Sequence, residues 1–105
     1  MPISETLLKV LDVDRTIHEP VRLLIMTYLS QVDSADFLFL LRELSLTYGN
    51  LSQHMSKLEA AGYVAVEKTI VHKRPRTTYR LTEQGRHTFQ EYRYALTQFI
   101  AAVPG

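Results

Sequence analysis

The sequence predicts a mainly α-helical domain that carries one β-hairpin, an α+β fold class. Two observations lead to this prediction. Apolar residues recur at helical spacing along most of the chain up to Gly62, and again after Thr82. Between these parts, the apolar spacing changes to two and β-branched residues dominate, which is typical of strands.

The length and composition limit the classes of protein to which this chain can belong. The 105 residues form one predicted domain, 1–105, and 46% hydrophobic with 22% charged residues is ordinary for a globular protein. No apolar run approaches the roughly 18–20 residues that span a bilayer, and the N-terminus does not resemble a signal peptide. The absence of cysteine excludes disulfides and thiolate chemistry. We expect a cytoplasmic protein with no membrane partner.

Two helices are predicted in the first third of the chain. The first runs from about Ile3 to Leu11 and is a short amphipathic helix that packs on its own domain or on a partner subunit. The second begins at Pro20, because proline at the first helical position loses no hydrogen bond. Its run VRLLIMTYLS is apolar on most sides, which predicts a helix buried at the centre of a small bundle.

A helix-turn-helix is predicted at about residues 35–61. Ser34 or Asp36 can cap its first helix, whose inward stripe is Phe37, Leu40, Leu41 and Leu44, with Leu38 and Phe39 widening that stripe. A short link then leads into Thr47, which can cap the second helix.

The second of these helices, TYGNLSQHMSKLEAAG, has two unlike faces. Leu51, Met55 and Leu58 share the apolar face, and Gly62 can close the end in a left-handed turn. The opposite face carries Asn50, Gln53, Ser56 and Lys57, without a carboxylate; Glu59 lies toward the flank. Such a face can read base edges, so we interpret this segment as a DNA recognition helix.

A β-hairpin is predicted at about residues 63–82. Two alternating strands, around Val64–Ile70 and Thr77–Leu81, are joined by the basic segment HKRPR. Proline suits the tip because it cannot donate to the ladder. The order of helix, helix-turn-helix and hairpin predicts a winged helix, with this tip as the wing.

The last predicted helix, at about residues 83–102, begins after a Thr82 cap. Its apolar residues follow a three-four spacing, which is the pattern of a helix that pairs with another helix. The pairing can be internal, but its position at the chain end favours a dimer. The predicted dimer interface consists of Leu7, Leu11, Phe89, Tyr92, Leu96, Phe99 and Ile100.

The charge is unevenly distributed along the chain. Residues 1–62 contain five Lys and Arg against eight Asp and Glu, whereas residues 63–105 contain seven against three. A basic segment is what a polyanion-binding surface requires, although a short chain can also show such an imbalance by chance.

The candidate DNA contacts belong to three groups. For base readout we expect Asn50, Gln53 and Ser56, with Ser52 at the flank. Phosphate contacts are expected from Tyr48, Asn50 and Lys57, and from the wing cations, which have no acidic neighbour in the sequence: Lys73, Arg74 and Arg76. The alternatives are an ordinary solvated helix face and a solubilising turn.

His54 is also a candidate contact, although its place beside the apolar face favours a structural hydrogen bond over a phosphate contact. The four histidines show no paired ligand spacing, so we predict no metal site and no cofactor. The sequence contains no glycine-rich phosphate loop, HExxH or GxSxG motif, and an enzyme is therefore not expected.

Three stretches resemble small winged-helix transcriptional regulators of bacteria and archaea: HEPVRLLIMTYLS, ADFLFLLRELSLTYGNLSQHMSKLEAAGYV and KRPRTTYRLTEQGR. The resemblance covers roughly Leu11 to Tyr94 and is to single-domain proteins related to the MarR and ArsR regulators. It implies a homodimer that binds a near-palindromic operator in double-stranded DNA. The metal sensing of ArsR-type proteins is not carried over, because this chain has none of their cysteines.

The function predicted from the sequence is a dimeric, sequence-specific DNA-binding regulator of transcription. Two alternatives stay open. One is a winged-helix protein-interaction module, whose recognition face would be acidic or apolar. The other is a ligand-gated regulator with a pocket at the dimer interface, lined by Phe89, Tyr92, Tyr94 and Phe99; the sequence identifies no effector.

Overall fold

The computed structural model describes residues 2–105, which form helices and one small sheet. In chain order the elements are α1 (Glu5–Leu8), a 3-10 helix (Lys9–Asp12), α2 (Pro20–Leu29), β1 (Ala35–Asp36), α3 (Phe37–Leu44), α4 (Tyr48–Ala60), β2 (Val64–Val71), β3 (Arg74–Leu81) and α5 (Glu83–Ala102). The three strands are antiparallel in the order β1-β3-β2. The architecture confirms the predicted fold class, a winged helix-turn-helix with an additional C-terminal helix. Within the described residues, no helix has the length and apolarity to cross a membrane.

Side chains proposed as caps in the sequence are found at the starts of α3 and α4. Thr47 accepts a hydrogen bond from the Asn50 amide at 3.2 Å, and Gly62 has a φ of +81° in the turn after α4. Asp36, rather than Ser34, caps α3 by accepting from the Phe39 amide at 3.2 Å. Thr47 and Asp36 each satisfy an amide that the first turn of the helix leaves without a partner, and the Gly62 amide donates to the Glu59 carbonyl at the other end of α4.

The N-terminal segment is shorter and less regular than predicted. Only Glu5–Leu8 is α-helical, and the chain continues as the 3-10 helix. Both pieces contact α5, so this segment packs on its own domain. A helix of four residues has little stability of its own, and its packing against α5 compensates for that.

The sheet differs from the prediction in two respects, the turn of the hairpin and the presence of a third strand. The turn is formed by His72 and Lys73, whose φ values of 51° and 64° are those of a two-residue turn of the mirror-image type. Pro75 therefore lies inside β3, opposite Ile70, and the predicted place at the tip is wrong. The register puts Pro75 at a non-hydrogen-bonded site, where β2 requires no donor.

The third strand, β1, was not predicted because two residues are too few to show an alternation. Ala35 pairs with Tyr79 and Asp36 with Thr78. This short ladder attaches the beginning of the helix-turn-helix to the hairpin, and thereby fixes the wing relative to α3.

The core lies among α2, α3, α4, the base of the hairpin and the first half of α5. Leu51, Met55 and Leu58 are 0%, 1% and 0% exposed, as their spacing predicted. Leu24 in α2 and Leu38 in α3 are 53% and 54% exposed. The expectation that α2 is buried on most sides is therefore wrong at Leu24, and the expectation that Leu38 widens the inward stripe of α3 is wrong as well.

The prediction of a dimer seam is also wrong at two residues. Phe89 and Tyr92 are 5% and 3% exposed in the single subunit. Because α5 packs across the 3-10 helix and β3, these rings lie in the core of their own subunit and not on an exposed dimer seam. The Tyr92 hydroxyl also lies 2.7 Å from Nδ1 of His18.

The joint between the hairpin and α5 is a close backbone contact. A Cβ atom on Gly85 would lie 2.1 Å from the Tyr63 carbonyl oxygen. Thr82 reinforces the joint because its amide donates to that oxygen at 3.1 Å and its hydroxyl donates to the Gly62 carbonyl at 2.6 Å. The hydroxyl of Thr82 also accepts from the Gly85 amide at 2.9 Å, which caps α5.

Candidate nucleic-acid interface

The outward face of α4 is an exposed polar surface of the helix-turn-helix. With about 100° of rotation per residue, Gln53 and Ser56 lie opposite the buried stripe. Asn50 and Lys57 lie on the flank toward α2, and all four of these side chains are exposed. The buried leucines and methionine hold this face outward, so its amide, hydroxyl and ammonium groups are available to a ligand.

A groove of about 250 Å³ lies between α4 and the hairpin. It is lined by Phe37, Tyr48, Ser52, Ser56, Glu59, Val66, Lys68, Thr77 and Tyr79. Lys68 and Thr77 are directly paired across the strands, and neither was predicted as a contact. The alternation in β2 could have identified Lys68, because it follows Val64 and Val66 on the same face of the strand.

Tyr48 lies at the start of α4, at the edge of this groove. Its side chain is 67% exposed, yet its ring packs against Phe37 with the centroids 4.9 Å apart and the planes tilted by 56°. The ring is therefore fixed while its surface stays accessible. Such a placement suits a contact to a sugar-phosphate backbone at the N-terminus of the helix.

His54 is held by a buried arginine of α2. One guanidinium nitrogen of Arg22 lies 3.0 Å from His54 Nδ1, and Arg22 Nε donates to the Thr16 carbonyl at 2.5 Å. Arginine can only donate, so His54 Nδ1 accepts. Arg22 is 9% exposed, and Glu19, which accepts from its amide, has a carboxylate oxygen 3.9 Å from His54 Nδ1. The structural hydrogen bond that we preferred for His54 is therefore present, and it ties α4 to α2.

The three predicted wing cations lie in different surroundings. Lys73 is in the turn and Arg74 begins β3, and both are exposed. Arg76 forms an ion pair with Asp36, with Nε and the carboxylate oxygen 3.5 Å apart. The expectation of no acidic neighbour is wrong for Arg76, because β1 brings Asp36 to the hairpin.

The predicted dimer residues divide by exposure. Leu11 and Ile100 are both 63% exposed, and Leu7, Leu96 and Phe99 are partly exposed. Phe89 and Tyr92 belong to the core described above. An apolar surface thus remains on the N-terminal segment and the second half of α5, and it also includes Tyr94, at 70% exposure. Among residues 2–105, no three His, Asp or Glu side chains cluster closely enough to hold a metal ion.

Comparison with known protein families identifies the family to which this chain belongs. A family model described as winged helix DNA-binding domain matches residues 21–100, which is most of the chain. The chain belongs to the winged-helix DNA-binding domain family. Its helix-turn-helix, wing and the larger part of α5 fall inside the matched range.

Relatives of this winged-helix domain occur in archaea and bacteria. An uncharacterized protein of Methanocaldococcus jannaschii is 36% identical over 78 residues, covering 74% of this chain and 85% of that protein. A solved transcriptional regulator homologue from Pyrococcus horikoshii is 33% identical with a TM-score of 0.83, covering 93% and 96% of the two chains.

A second solved structure refines the relation to known regulators. A PadR family transcriptional regulator from Eggerthella lenta is 26% identical with a TM-score of 0.62, covering 74% of this winged-helix domain and 75% of that chain. The comparisons support a winged-helix regulator fold of this kind and do not support the finer relation to MarR and ArsR regulators. YusO of Bacillus subtilis, at 16% identity and a TM-score of 0.69 over 92% and 66% of the two chains, shares the fold.

Proposed function

We propose that this winged-helix domain is a dimeric, sequence-specific regulator of transcription that binds double-stranded DNA. The observation that carries the proposal is the outward face of α4, where exposed amide, hydroxyl and ammonium groups lie beside a basic hairpin. The major groove admits one α-helix, and its base edges present the donors and acceptors that such side chains recognise.

Specificity is assigned to the centre of the α4 face. Gln53 can form a bidentate pair with adenine, and Ser56 can bond several base edges. Asn50 and Ser52 extend this surface on its two flanks, toward α2 and toward the hairpin groove. His54 serves mainly to position the helix, because its Nδ1 is bonded to Arg22.

Affinity is assigned to the cations around that face. Lys57 on α4 and Lys73 and Arg74 on the wing are exposed, and Tyr48 adds a phosphate contact at the helix start. Arg76 contributes less, because Asp36 already neutralises part of its charge. Each cation that neutralises a phosphate releases counterions, which makes the affinity depend on salt.

Dimerisation is assigned to the exposed apolar residues of the N-terminal segment and α5, with Leu11 and Ile100 as the most exposed of the predicted set. A two-fold dimer presents two α4 helices to successive major grooves and therefore fits a near-palindromic operator. The solved relatives from Pyrococcus horikoshii and Eggerthella lenta, named as a regulator homologue and a regulator, support a role in transcription.

The division of labour between wing and helix can be tested with matched variants. Arg74→Gln and Arg80→Gln make the same change on the same outer face of β3, one beside the turn and one near the core. We expect Arg74→Gln to weaken binding to all duplexes and to reduce the salt slope of log K by about 1, with Arg80→Gln close to wild type.

Gln53→Ala should instead relax the preference at one base pair of each half-site. At that base pair it should lose the discrimination against the wrong base, about 1–3 kcal/mol, that a bidentate contact provides. Equal losses on selected and random duplexes for both Arg74→Gln and Gln53→Ala would refute the assignment of affinity and specificity to separate elements. A protein that binds no duplex even at low salt would refute the proposed function as a whole.

A further inference from the structure

The inner face of the hairpin, which is the face toward α4, changes character along its length. The pairs Val64–Leu81 and Val66–Tyr79 pack in or against the core, and the next pair, Lys68–Thr77, lines the groove beside α4. The following pair on this face is Ile70–Pro75. Ile70 is 76% exposed and Pro75 is exposed as well, so this pair lies beyond the core.

Ile70 and Pro75 form one compact apolar ridge. They occupy a non-hydrogen-bonded site of the antiparallel ladder, where directly opposite Cβ atoms are about 4.5–5.5 Å apart. Ile70 has the highest exposure of the large hydrophobic residues in the described chain. Isoleucine favours a strand, but here it stands directly opposite a proline, so the two side chains form a continuous apolar surface and are not scattered singly.

The charge around the ridge indicates what covers it. From Lys68 to Arg76 the chain contains four cations and no carboxylate. Lys68 stands at the base of the ridge on the same face, and Lys73 lies in the turn at its tip. Arg74 and Arg76 belong to the opposite face of the hairpin, where Arg76 pairs with Asp36. An apolar surface next to cations fits a partner that has apolar faces between two rows of anions. Duplex DNA is such a partner, because its base pairs are stacked between two phosphate backbones.

We propose that the Ile70–Pro75 pair is an apolar wedge that enters the minor groove of duplex DNA and partly unstacks one base-pair step. The proposal rests on the proposed function and adds a mode of recognition to it. Isoleucine and proline are among the residues that architectural proteins insert between base steps, and such insertions bend the duplex.

The dimensions of the hairpin agree with this placement. Ile70 lies four residues beyond Val66, the last inner-face residue of β2 that packs against the core, or about 13 Å at the usual rise per residue. The major groove and the next minor groove on one side of a duplex are about half a turn, or roughly 17 Å, apart. With α4 in the major groove, the ridge extends along the duplex toward the adjacent minor groove, and Lys68 lines the groove between α4 and the hairpin.

The wedge predicts a sequence preference at a position that no hydrogen bond reads. Pyrimidine–purine steps such as TA and CA unstack most easily, so they should be enriched where the ridge enters. This form of readout is independent of the base contacts assigned to Gln53 and Ser56.

The test compares Ile70→Ala with Val71→Ala on a duplex selected by the wild-type protein. Val71 is the neighbouring residue, is 37% exposed and lies on the opposite face of the hairpin. Bending is followed by energy transfer between dyes at the two duplex ends, and unstacking by the fluorescence of 2-aminopurine placed at successive steps. Circular dichroism confirms that both variants are folded.

We expect the wild type and Val71→Ala to bend the duplex and to raise 2-aminopurine fluorescence at one step in each half-site. Ile70→Ala should lose both signals and about tenfold in affinity, the loss expected when an isoleucine that is buried on binding is truncated. Its salt slope should stay at the wild-type value, because no cation is removed.

Retention of both signals in Ile70→Ala, or their equal loss in Val71→Ala, would overturn the wedge while leaving the proposed function intact. Two other results would also overturn it. One is an Ile70-dependent change in oligomeric state without DNA, which would make a second copy the occupant. The other is Ile70-dependent binding to vesicles of phosphatidylserine and phosphatidylcholine in place of DNA. If the wild type binds no duplex at all, the proposed function itself fails.

Discussion

At the scale of single residues, the joint between the wing and α5 depends on Gly85. Any Cβ at this position would overlap the Tyr63 carbonyl, which is backbone and cannot rotate away. The joint sets the angle at which α5 leaves the hairpin, and thus where the predicted dimer surface lies relative to α4. Gly49 is a natural comparison, because a Cβ there would meet nothing within 4 Å.

We expect Gly85→Ala to lower the free energy of unfolding by about 3 kcal/mol, and Tm by about 10–20 °C. Gly49→Ala should be neutral or stabilising by up to about 1 kcal/mol, because alanine favours the helix. Thermal unfolding followed by circular dichroism measures both. A Gly85→Ala protein as stable as Gly49→Ala would show that the joint does not require close backbone contact.

Tyr63 adds a pH-dependent contact to the same region. Burial, followed by its hydrogen bond to Asp14, raises the pKa of Tyr63 to about 12. The neutral phenol is therefore favoured in the folded state. Its contribution to stability is fully present below the ordinary tyrosine pKa of about 10 and is lost as pH rises toward 12.

Tyr63→Phe should reduce the loss of stability between pH 10 and 12, by at most about 2.7 kcal/mol for a shift of two units. Urea unfolding of the two proteins at pH 8, 10 and 11.5 measures the difference. Tyr79 and Tyr92, whose pKa values are also raised by burial, titrate in both proteins, and their contributions cancel in the comparison. Parallel pH profiles would contradict a linkage through Tyr63.

At the scale of elements, the wing combines a strained turn with an exposed cation. His72 and Lys73 both have positive φ, a conformation that asparagine and glycine adopt more readily. The sequence Asn-Gly would form this turn with less strain, but it would lack the cation that Lys73 presents. The turn therefore gives up some stability in favour of charge.

His72→Asn and the double variant His72→Asn/Lys73→Gly should each raise the free energy of unfolding, by about 0.5–1 kcal/mol per substitution. Only the double variant should lose DNA affinity and about 1 in salt slope, since it alone removes a cation. Thermal melts and a salt series on one duplex separate the two effects. Weaker binding by His72→Asn alone would assign a contact to His72 instead.

The elements also show how far the sequence determines the fold. The helix α4 was predictable with its caps and buried stripe, because those signals are local to Thr47–Gly62. The strand β1 was not, because its two residues are ordered by pairing with Tyr79 and Thr78 across the chain. The same long-range contact brings Asp36 to Arg76, which no local pattern could indicate.

The seam on α5 illustrates a second limit. A helical stripe such as Phe89, Tyr92 and Leu96 has the same spacing whether it packs inside a subunit or between two subunits. The structure places Phe89 and Tyr92 in the core of the subunit. The most exposed of the predicted interface residues, Leu11 and Ile100, are not part of the three-four stripe. In the candidate site, the spacing of the apolar residues was enough to predict which residues of α4 face outward. The groove lined by Lys68 could be recognised only from the folded structure, because two separate elements form it.

At the scale of the whole molecule, the subunit is elongated, with extents of 63 × 27 × 21 Å. Apolar residues remain exposed on α5 and the N-terminal segment, Ile100 and Leu11 at 63% each. An elongated subunit with an uncovered apolar surface on its helical extension is consistent with a two-fold dimer.

We expect Ile100→Asp to give a folded monomer that binds the operator much more weakly than the wild-type dimer. Phe89→Ala should instead destabilise the subunit by about 3–5 kcal/mol, because Phe89 lies in the core. Sedimentation velocity and thermal unfolding distinguish the two effects. An unchanged mass for Ile100→Asp, or a wild type that is already monomeric, would contradict a dimer surface at Ile100.

Selection from a pool of random duplexes across a salt series is the most direct test of whether one dimer reads one symmetric operator. We expect enrichment of a two-fold-symmetric site with half-sites about ten base pairs apart, bound more weakly as salt rises. Salt-sensitive binding without enrichment would contradict sequence-specific reading. No binding even at low salt would contradict the DNA-binding function itself.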